Sequence, residues 1–300
     1  MTGMQLDRMS GGAVAPPASL RQAGFEKDKK LTVFLLPGLS GDVGEFAALL
    51  SSPGGPVHFV PIHYRHWSSL QREARELDRL VADCVRQIES HAPGGEVLLL
   101  GYSFGGQIGW AVARAMEASG HRIGLLGLID ARACPKVPQG PASNAERLNR
   151  LIRGIRCGET ADQLARFSAG ALFRPQSNWA RAAFGRLHAS GLFPRMLNRI
   201  DFNIQMSFHL ILLKEWMARM AACNERLRCP AALFRGSGWP LGEDADLGWS
   251  RYLATLRVVT IAGTHDDVLQ PQNAEQIIAQ VGAIISEGEG DLSVEGYTCM

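Results

Sequence analysis

The chain has 300 residues, of which 46% are hydrophobic, and its 31 Lys and Arg residues nearly balance its 29 Asp and Glu residues. This length and apolar content allow one domain of catalytic size with a full hydrophobic core. No apolar run approaches the ~18 residues of a membrane span, and the first thirty residues lack the apolar segment of a secretory signal. We therefore expect a cytoplasmic protein without a membrane or nucleic-acid partner.

Cysteine and glycine patterns bear on cofactors. The six cysteines form no Cys-x-x-Cys pair, which favours reduced thiols over disulfides or a zinc site. Neither G-x-G-x-x-G after a strand nor G-x-x-x-x-G-K-S/T is present, and these are the glycine loops that bind phosphates. We expect neither a cofactor nor a metal ion.

Along the chain, a leader precedes alternating strands and helices. Residues 1–30 are rich in Gly, Pro, Ala and charge without any period, which predicts a flexible leader. The best-defined helix, 70–89, carries apolar residues at three- and four-residue spacing. Strands are predicted at 31–36, 57–62, 97–100, 123–129, 231–234 and 257–261. This alternation predicts an α/β fold with a mostly parallel, doubly wound sheet that helices cover on both faces.

A serine motif follows the third predicted strand. Residues 101–105 read Gly-Tyr-Ser-Phe-Gly and open a helical stretch. The order strand, G-x-S-x-G and helix is typical of the nucleophile elbow of α/β-hydrolases, in which a strained turn holds the serine at the carboxyl edge of the sheet. The glycines leave room for the helix to cross the strand closely. Ser103 is therefore the predicted nucleophile.

The serine needs a base, and the base needs an acid that fixes its tautomer. In this fold the chain order is serine, acid, histidine, which disfavours the four histidines before Ser103. His188 and His209 lie in a long helical insertion, and His121 precedes a strand. His265 follows the last predicted strand on a glycine-containing turn before the final helix. We predict His265 as the base.

Two positions compete for the acid on structural grounds. Asp130 stands directly after the strand that follows the elbow helix, next to the nucleophile. Asp244 and Asp246 lie beyond the following core strand, where many hydrolases keep their acid, but several residues past its end.

An oxyanion hole needs two backbone N–H groups, one from the residue after the nucleophile and one from the loop after an earlier strand. Phe104 supplies the first. The second is expected from the turn that follows the first strand, where Pro37 and Gly38 direct consecutive amides inward. Leu39 is the predicted donor and Ser40 the alternative.

A stretch without strand patterns separates the fourth and fifth predicted strands. Residues 135–228 contain helix-start signals of capping-box form, which predicts a helical lid inserted into the core domain. Between 136 and 228 there are 15 Lys and Arg residues against 6 Asp and Glu residues, so this segment is strongly basic.

Taken together, these motifs resemble the thioesterase domains of nonribosomal peptide and polyketide synthases. The resemblance spans about residues 31–282, leaving a C-terminal tail at 283–300. In chain-terminating members of that family the acid follows the strand after the elbow, and this similarity makes Asp130 the predicted acid. The family commonly has Gly-Asp-His where this chain has Gly-Thr-His at 263–265. The matching segments are 35–39, 101–106, 128–130, 246–252 and 263–265.

The resemblance implies a serine thioesterase of nonribosomal peptide or polyketide biosynthesis. Ser103 would attack the thioester that joins an acyl or peptidyl chain to the phosphopantetheine arm of a carrier protein, and the acyl-enzyme would be hydrolysed or cyclised. A carrier protein is thus the expected partner, and the basic lid offers it complementary charge. Candidate liners of the acyl pocket, with plain core packing as the alternative, are Phe202, Ile204, Met206, Phe208, Leu210 and Trp216.

Two other interpretations remain open from the residues. A carboxylesterase or lipase that acts on small oxyesters would use the same Ser, His and Asp. A hydrolase fold that has lost catalysis and serves binding or assembly is the third interpretation, although the presence of all three residue types in order disfavours it.

Overall fold

The computed structural model describes residues 31–52, 57–67, 76–134, 178–191, 194–240 and 242–292. The predicted leader at 1–30 lies outside these ranges, as do residues 135–177 and 192–193 of the predicted lid.

The described residues form a central sheet of six strands. Every neighbouring pair is parallel, and the spatial order is β2-β1-β3-β4-β5-β6. The predicted parallel α/β fold is confirmed. The strands are β1 (Leu31–Leu36), β2 (Val57–Pro61), β3 (Val97–Tyr102), β4 (Ile123–Ile129), β5 (Ala231–Gly236) and β6 (Arg257–Ile261).

Two strands run past the ends that their apolar runs predict. β3 continues through Gly101, which pairs with Leu128 of β4, and β5 continues to Gly236, which pairs with Ile261 of β6. Gly101 ended the apolar pattern in β3 and Arg235 ended it in β5, but the hydrogen-bonded neighbours decide where a strand stops.

Helices cover both faces of the sheet. The second, third and fifth helices pack on one face, and the first and last pack on the other. No helix in the described ranges is both long enough and apolar enough to cross a membrane. The helices are α1 (Ala47–Leu50), α2 (Glu76–His91), α3 (Phe104–Ala118), α4 (Asn178–Ala189), α5 (Pro194–Ala221) and α6 (Pro271–Leu292).

Each strand of the sheet interior contributes to two cores. In β1, Phe34 and Leu36 join the cluster beneath α2, α3 and α5, whereas Val33 and Leu35 join the cluster beneath α1 and α6. Because both faces are buried, these strands read as continuous apolar runs rather than alternating patterns.

Helix α5 forms the second half of the predicted lid, and one side of it belongs to the core. Of the six candidate pocket liners, Ile204, Phe208 and Trp216 are buried in the cluster shared with α2 and α3. Leu210 packs against that cluster, while Phe202 is exposed. Core packing therefore accounts for most of this apolar set.

The last helix runs through the predicted domain end at residue 282. Ile284 and Ile285 are buried in the second core together with Ile277 and Val281. Their spacing of seven and eight residues from Ile277 keeps all four on one helix face, so the helix continues beyond the predicted boundary.

The topology places one crevice at the carboxyl edge of the sheet. From β1 the chain moves outward to β2 and then returns to the other side of β1 to form β3. The carboxyl ends of strands at such a reversal point are where open α/β sheets bind ligands. The loop 37–41 after β1 and the turn at Ser103 after β3 flank this point.

Glycines allow α3 to cross the strands beneath it at close range. A Cβ atom on Gly101 would lie 2.2 Å from the carbonyl oxygen of Gly105. A Cβ atom on Gly105 would lie 2.0 Å from the carbonyl oxygen of Leu36. Both distances are far below van der Waals contact with backbone atoms, so only glycine fits these positions.

We predict that Gly105→Ala lowers the free energy of unfolding by about 3 kcal/mol or more, because helix and strand backbones must separate. Gly109→Ala is the matched control, since its Cβ would meet only side-chain atoms, the nearest being Cδ1 of Leu126 at 3.3 Å. We expect this control to change stability by no more than about 1 kcal/mol, because alanine is the better helix former. Urea unfolding of both variants is the measurement, and equal stabilities would contradict the close crossing.

Candidate active site

Ser103 occupies a strained turn between β3 and α3. Its φ is 52° and its ψ is −118°, and residues other than glycine rarely adopt a backbone conformation with positive φ. The Ser103 N–H donates to the carbonyl of Ile129 at 2.9 Å, and the Ser103 carbonyl accepts from Gly106 N–H at 2.9 Å. These bonds and the close crossing of α3 hold the backbone in a conformation that it would otherwise leave.

The structure brings together the three residues that the sequence places in a catalytic chain. Oγ of Ser103 lies 3.0 Å from Nε2 of His265, and Nδ1 of His265 lies 2.7 Å from Oδ2 of Asp130. An ionised carboxylate only accepts hydrogen bonds, so Nδ1 carries the proton. Nε2 is then free to accept the hydroxyl proton of Ser103.

Asp130 is buried at the end of β4, where three donors satisfy its carboxylate. Oδ1 accepts from Gly236 N–H and from the Trp239 indole N–H, both at 2.7 Å, and Oδ2 faces His265. Burial raises the pKa of Asp130, but the hydrogen bonds from His265, Trp239 and Gly236 outweigh it and hold the pKa below its usual value. The group therefore stays ionised at neutral pH.

The loop that carries His265 is fixed on both sides. The Tyr102 ring stacks on the imidazole with 5.1 Å between centroids, and the Tyr102 hydroxyl donates to the His265 carbonyl at 2.9 Å. On the other side, the N–H and hydroxyl of Thr264 donate to Asp267 at 3.1 and 2.6 Å. The Thr264 hydroxyl thus helps to close the turn in this chain's Gly-Thr-His segment.

The two competing acids serve other contacts. Asp246 accepts hydrogen bonds from the backbone N–H groups of Gly248 and Ser250 at 2.9 and 3.0 Å. Within the described residues neither Asp244 nor Asp246 is hydrogen-bonded to His265. Asp246 therefore closes a local turn, and Asp130 is the acid that meets the histidine.

The two predicted oxyanion donors, Leu39 and Phe104, line the same cavity as Ser103. Their backbone N–H groups donate no hydrogen bond to any other residue in the described ranges. Around Leu39 the loop is braced, because Gly38 N–H donates to Glu45 at 2.9 Å and Gly41 N–H donates to the Gly38 carbonyl at 3.1 Å. The assignment of both donors stays a prediction.

A cavity of about 360 Å³ opens at Ser103. Arg132, which forms an ion pair with Glu243, places its guanidinium over the Trp239 ring at 5.5 Å. Among the described side chains of α5, Leu213 alone lines this cavity, so none of the six predicted acyl-pocket liners reaches it. Phe202 lines a neighbouring cavity. The lining residues are Leu39, Ser103, Phe104, Gln107, Asp130, Arg132, Leu213, Trp239 and His265.

Sequence reasoning missed Trp239, Arg132 and Gln107. Trp239 lies between β5 and the competing acid Asp244, and its indole N–H can donate to a buried carboxylate. That signal becomes useful only once β4 and β5 are known to be neighbours, since Asp130 and Trp239 are 109 residues apart.

Comparison with known proteins identifies the family. The model of the Thioesterase domain family matches residues 31–285, which is most of the chain. The chain belongs to this family. The sequence prediction of a thioesterase is thereby confirmed, and the protein is an enzyme of the thioester-hydrolase class.

Solved structures share the fold. The NocB thioesterase domain, determined as a covalent complex with a fluorophosphonate nocardicin G analogue, superposes with a TM-score of 0.57 at 16% identity, covering 87% of this chain and 96% of that one. RedJ, a thioesterase from the prodiginine pathway of Streptomyces coelicolor, gives 0.55 at 17% identity, covering 92% and 96%. At identities this low, the superpositions establish a common fold and nothing more specific.

Curated relatives are large synthetases. The chain is 29% identical over 86 residues to a dimodular nonribosomal peptide synthase of Bacillus subtilis strain 168, covering 29% of the chain and 4% of that protein. It is 40% identical over 60 residues to malpinin synthetase of Mortierella alpina, covering 20% and 1%. The chain thus spans a small share of each relative. The resemblance to nonribosomal peptide synthetase thioesterases is confirmed.

We predict that Trp239→Phe lowers kcat for thioester hydrolysis about tenfold, since a hydrogen bond to a charged group contributes about 1.5–3 kcal/mol and the Gly236 donor remains. Trp110→Phe is the control, because it removes an indole hydrogen bond to the Tyr252 carbonyl away from the cavity. Turnover per folded molecule should be unchanged in the control. Equal kcat values for Trp239→Phe and the unmodified protein would show that the indole does not support Asp130.

Proposed function

We propose that this thioesterase releases an acyl or peptidyl chain from the phosphopantetheine arm of a carrier protein, through an acyl-enzyme on Ser103. The observation that carries the proposal is the hydrogen-bonded chain from Ser103 through His265 to a buried, ionised Asp130. The context of large peptide synthetases among the relatives supports a carrier-bound substrate.

In the first step, Oγ of Ser103 attacks the thioester carbonyl while Nε2 of His265 takes the hydroxyl proton. The imidazole becomes positively charged, and the carboxylate of Asp130 stabilises that charge across the 2.7 Å contact. The tetrahedral intermediate then collapses, the carbon–sulfur bond breaks, and the thiol leaves with the proton from His265.

The negative charge on the carbonyl oxygen of the intermediate needs fixed donors. The N–H groups of Phe104 and Leu39 fill this role in the proposal, because both residues line the cavity at Ser103. Phe104 is the first residue of α3, so the positive end of the helix dipole adds to the stabilisation.

In the second step, His265 takes a proton from the incoming nucleophile, which attacks the acyl carbonyl and releases Ser103. Water yields a free acid, and a hydroxyl or amine within the bound chain yields a ring. Both outcomes use the same three residues, so the shape of the acyl pocket decides between them.

The carrier protein is proposed as the partner on the basis of charge. Residues 136–228 carry 15 Lys and Arg residues against 6 Asp and Glu residues. Carrier proteins are generally acidic and their arm bears a phosphate, so opposite charges would speed the encounter and salt would slow it.

We expect Ser103→Ala to abolish turnover of an acyl thioester of pantetheine, and the unmodified protein to form an acyl adduct that intact-mass spectrometry detects. The matched oxyester is the control substrate, and an acyl carrier protein loaded with the same chain should be turned over faster at low salt. Turnover confined to the oxyester would overturn the proposal in favour of a carboxylesterase.

We expect Asp130→Asn to lower kcat by about 10³- to 10⁴-fold, since the amide no longer stabilises the charged imidazole and favours the wrong tautomer. Asp246→Asn is the matched control at the competing position, and it should keep kcat within about threefold, because Asp246 contacts only its own turn. If the two variants exchanged these effects, Asp246 rather than Asp130 would be the acid.

A further inference from the structure

A buried histidine on α5 contacts the loop that follows β1. His209 is fully buried, and its Nδ1 lies 2.7 Å from the carbonyl oxygen of Leu39. We call residues 37–41 the oxyanion loop, because Leu39 and its alternative Ser40 are the predicted donors in it. His209 lies in the predicted helical insertion, and His265 is the histidine that meets Ser103, so the role of His209 is open.

The hydrogen-bond network fixes the tautomer of His209. Gln205, one turn earlier on α5, accepts from the backbone N–H of Trp67 at 2.8 Å through Oε1. Its amide nitrogen therefore faces the Arg65 carbonyl at 3.1 Å and Nε2 of His209 at 2.8 Å. Since that nitrogen donates, Nε2 of His209 accepts, and Nδ1 carries the proton that it donates to Leu39.

The environment keeps this ring neutral. Burial lowers the pKa of His209 to about 4, and the hydrogen bond to the Leu39 carbonyl opposes the shift only in part. A neutral ring retains Nε2 as an acceptor, so the bond from Gln205 and the bond to Leu39 coexist at physiological pH.

The ring also packs against both sides of the predicted oxyanion hole. It stacks on Phe104 with 5.6 Å between centroids and meets Tyr64 edge-on at 5.4 Å. The Tyr64 hydroxyl in turn donates to the Pro37 carbonyl at 3.0 Å. A Cβ atom on Gly41 would lie 2.8 Å from Cε1 of His209, so the loop lies directly on the ring.

These contacts fix the peptide planes on either side of Leu39 N–H. The plane of Pro37 and Gly38 is held by Tyr64 at its oxygen and by Glu45 at its nitrogen. The plane of Leu39 and Ser40 is held by His209 at its oxygen. Rotation of either plane would move the intervening peptide, which carries the N–H of Leu39, a residue that lines the cavity at Ser103.

We propose that His209 is a positioning residue that orients the oxyanion donor of the loop and thereby couples the oxyanion hole to the docking of α5. The inference rests on the proposed function, since it assumes that a tetrahedral intermediate forms at Ser103. It adds a residue that touches neither substrate nor nucleophile but sets the geometry in which the charge is stabilised.

The test compares His209→Asn with His209→Gln. Asparagine places its amide nitrogen near the position of Nδ1 and keeps the donor to Leu39, whereas glutamine places its amide near Nε2 and loses that donor. We expect His209→Gln to lower kcat by about 10- to 100-fold with KM changed less than about threefold, because the oxyanion forms only in the transition state. His209→Asn should keep kcat within about fivefold of the unmodified protein.

Two readouts separate positioning from a loss of folding. Titration with a serine-reactive phosphonate gives the concentration of competent sites, and thermal unfolding gives the stability of each variant. An acyl trifluoromethyl ketone, which forms a tetrahedral adduct with the serine, should lose affinity for His209→Gln by the same factor as kcat/KM. Unaltered kcat in His209→Gln, or equal losses in both variants, would overturn the proposal.

Two further measurements cover variants that do not fold and a failure of the proposed function itself. If neither variant folds, ¹⁵N spectra of the histidines in the unmodified protein decide, because the proposal requires a neutral ring protonated at Nδ1, and protonation at Nε2 overturns it. If Ser103→Ala retains turnover, the proposed function itself fails. If Ser103→Ala is inactive and His209→Gln has normal kcat, only the role of His209 fails.

Discussion

Helix α3 crosses β1 and β3 so closely that the backbone of Ser103 cannot relax. Side-chain-free positions at 101 and 105 permit the crossing, and the serine between them takes a positive φ, which costs about 1–3 kcal/mol. This conformation directs the hydroxyl to the carboxyl edge of the sheet, at the point where the strand order reverses. The histidine, the acid and the braced loop after β1 are all arranged around that one fixed atom.

The acid is tied to the nucleophile through the backbone as well as through His265. Asp130 also has a positive φ, 45°, and the preceding residue, Ile129, accepts the Ser103 N–H. Backbone strain is therefore stored in the turns after both β3 and β4, which are neighbouring strands. The N–H groups of Gly236 and Trp239 stabilise the buried carboxylate of Asp130. The core of the sheet offsets this cost, which explains why stability and site geometry depend on the same glycines.

The sequence predicts the sheet because apolar runs between helices are a local signal, and it predicts Ser103 and His265 from recognisable turns after strands. The choice of Asp130 over Asp244 and Asp246 came from the family resemblance, and the contact between Asp130 and His265 agrees with it. The supporting residues could not be found in the same way. The contact between His209 and Leu39 spans 170 residues, and nothing local to either position indicates it. The apolar pattern of α5 had two interpretations, lining of the acyl pocket or packing in the core, because a pocket wall and a core face have the same helical spacing.

Helix α5 is better described as a fixed wall than as a moving cover. Ile204, Phe208, Leu212 and Trp216 are buried in the main core, and exposing side chains of this size costs about 1.5–3 kcal/mol each. Leu213 on the same helix lines the cavity, and His209 holds the oxyanion loop. Because α5 is anchored in this core and contacts that loop, the helix cannot withdraw from the cavity without disturbing the loop beside Ser103.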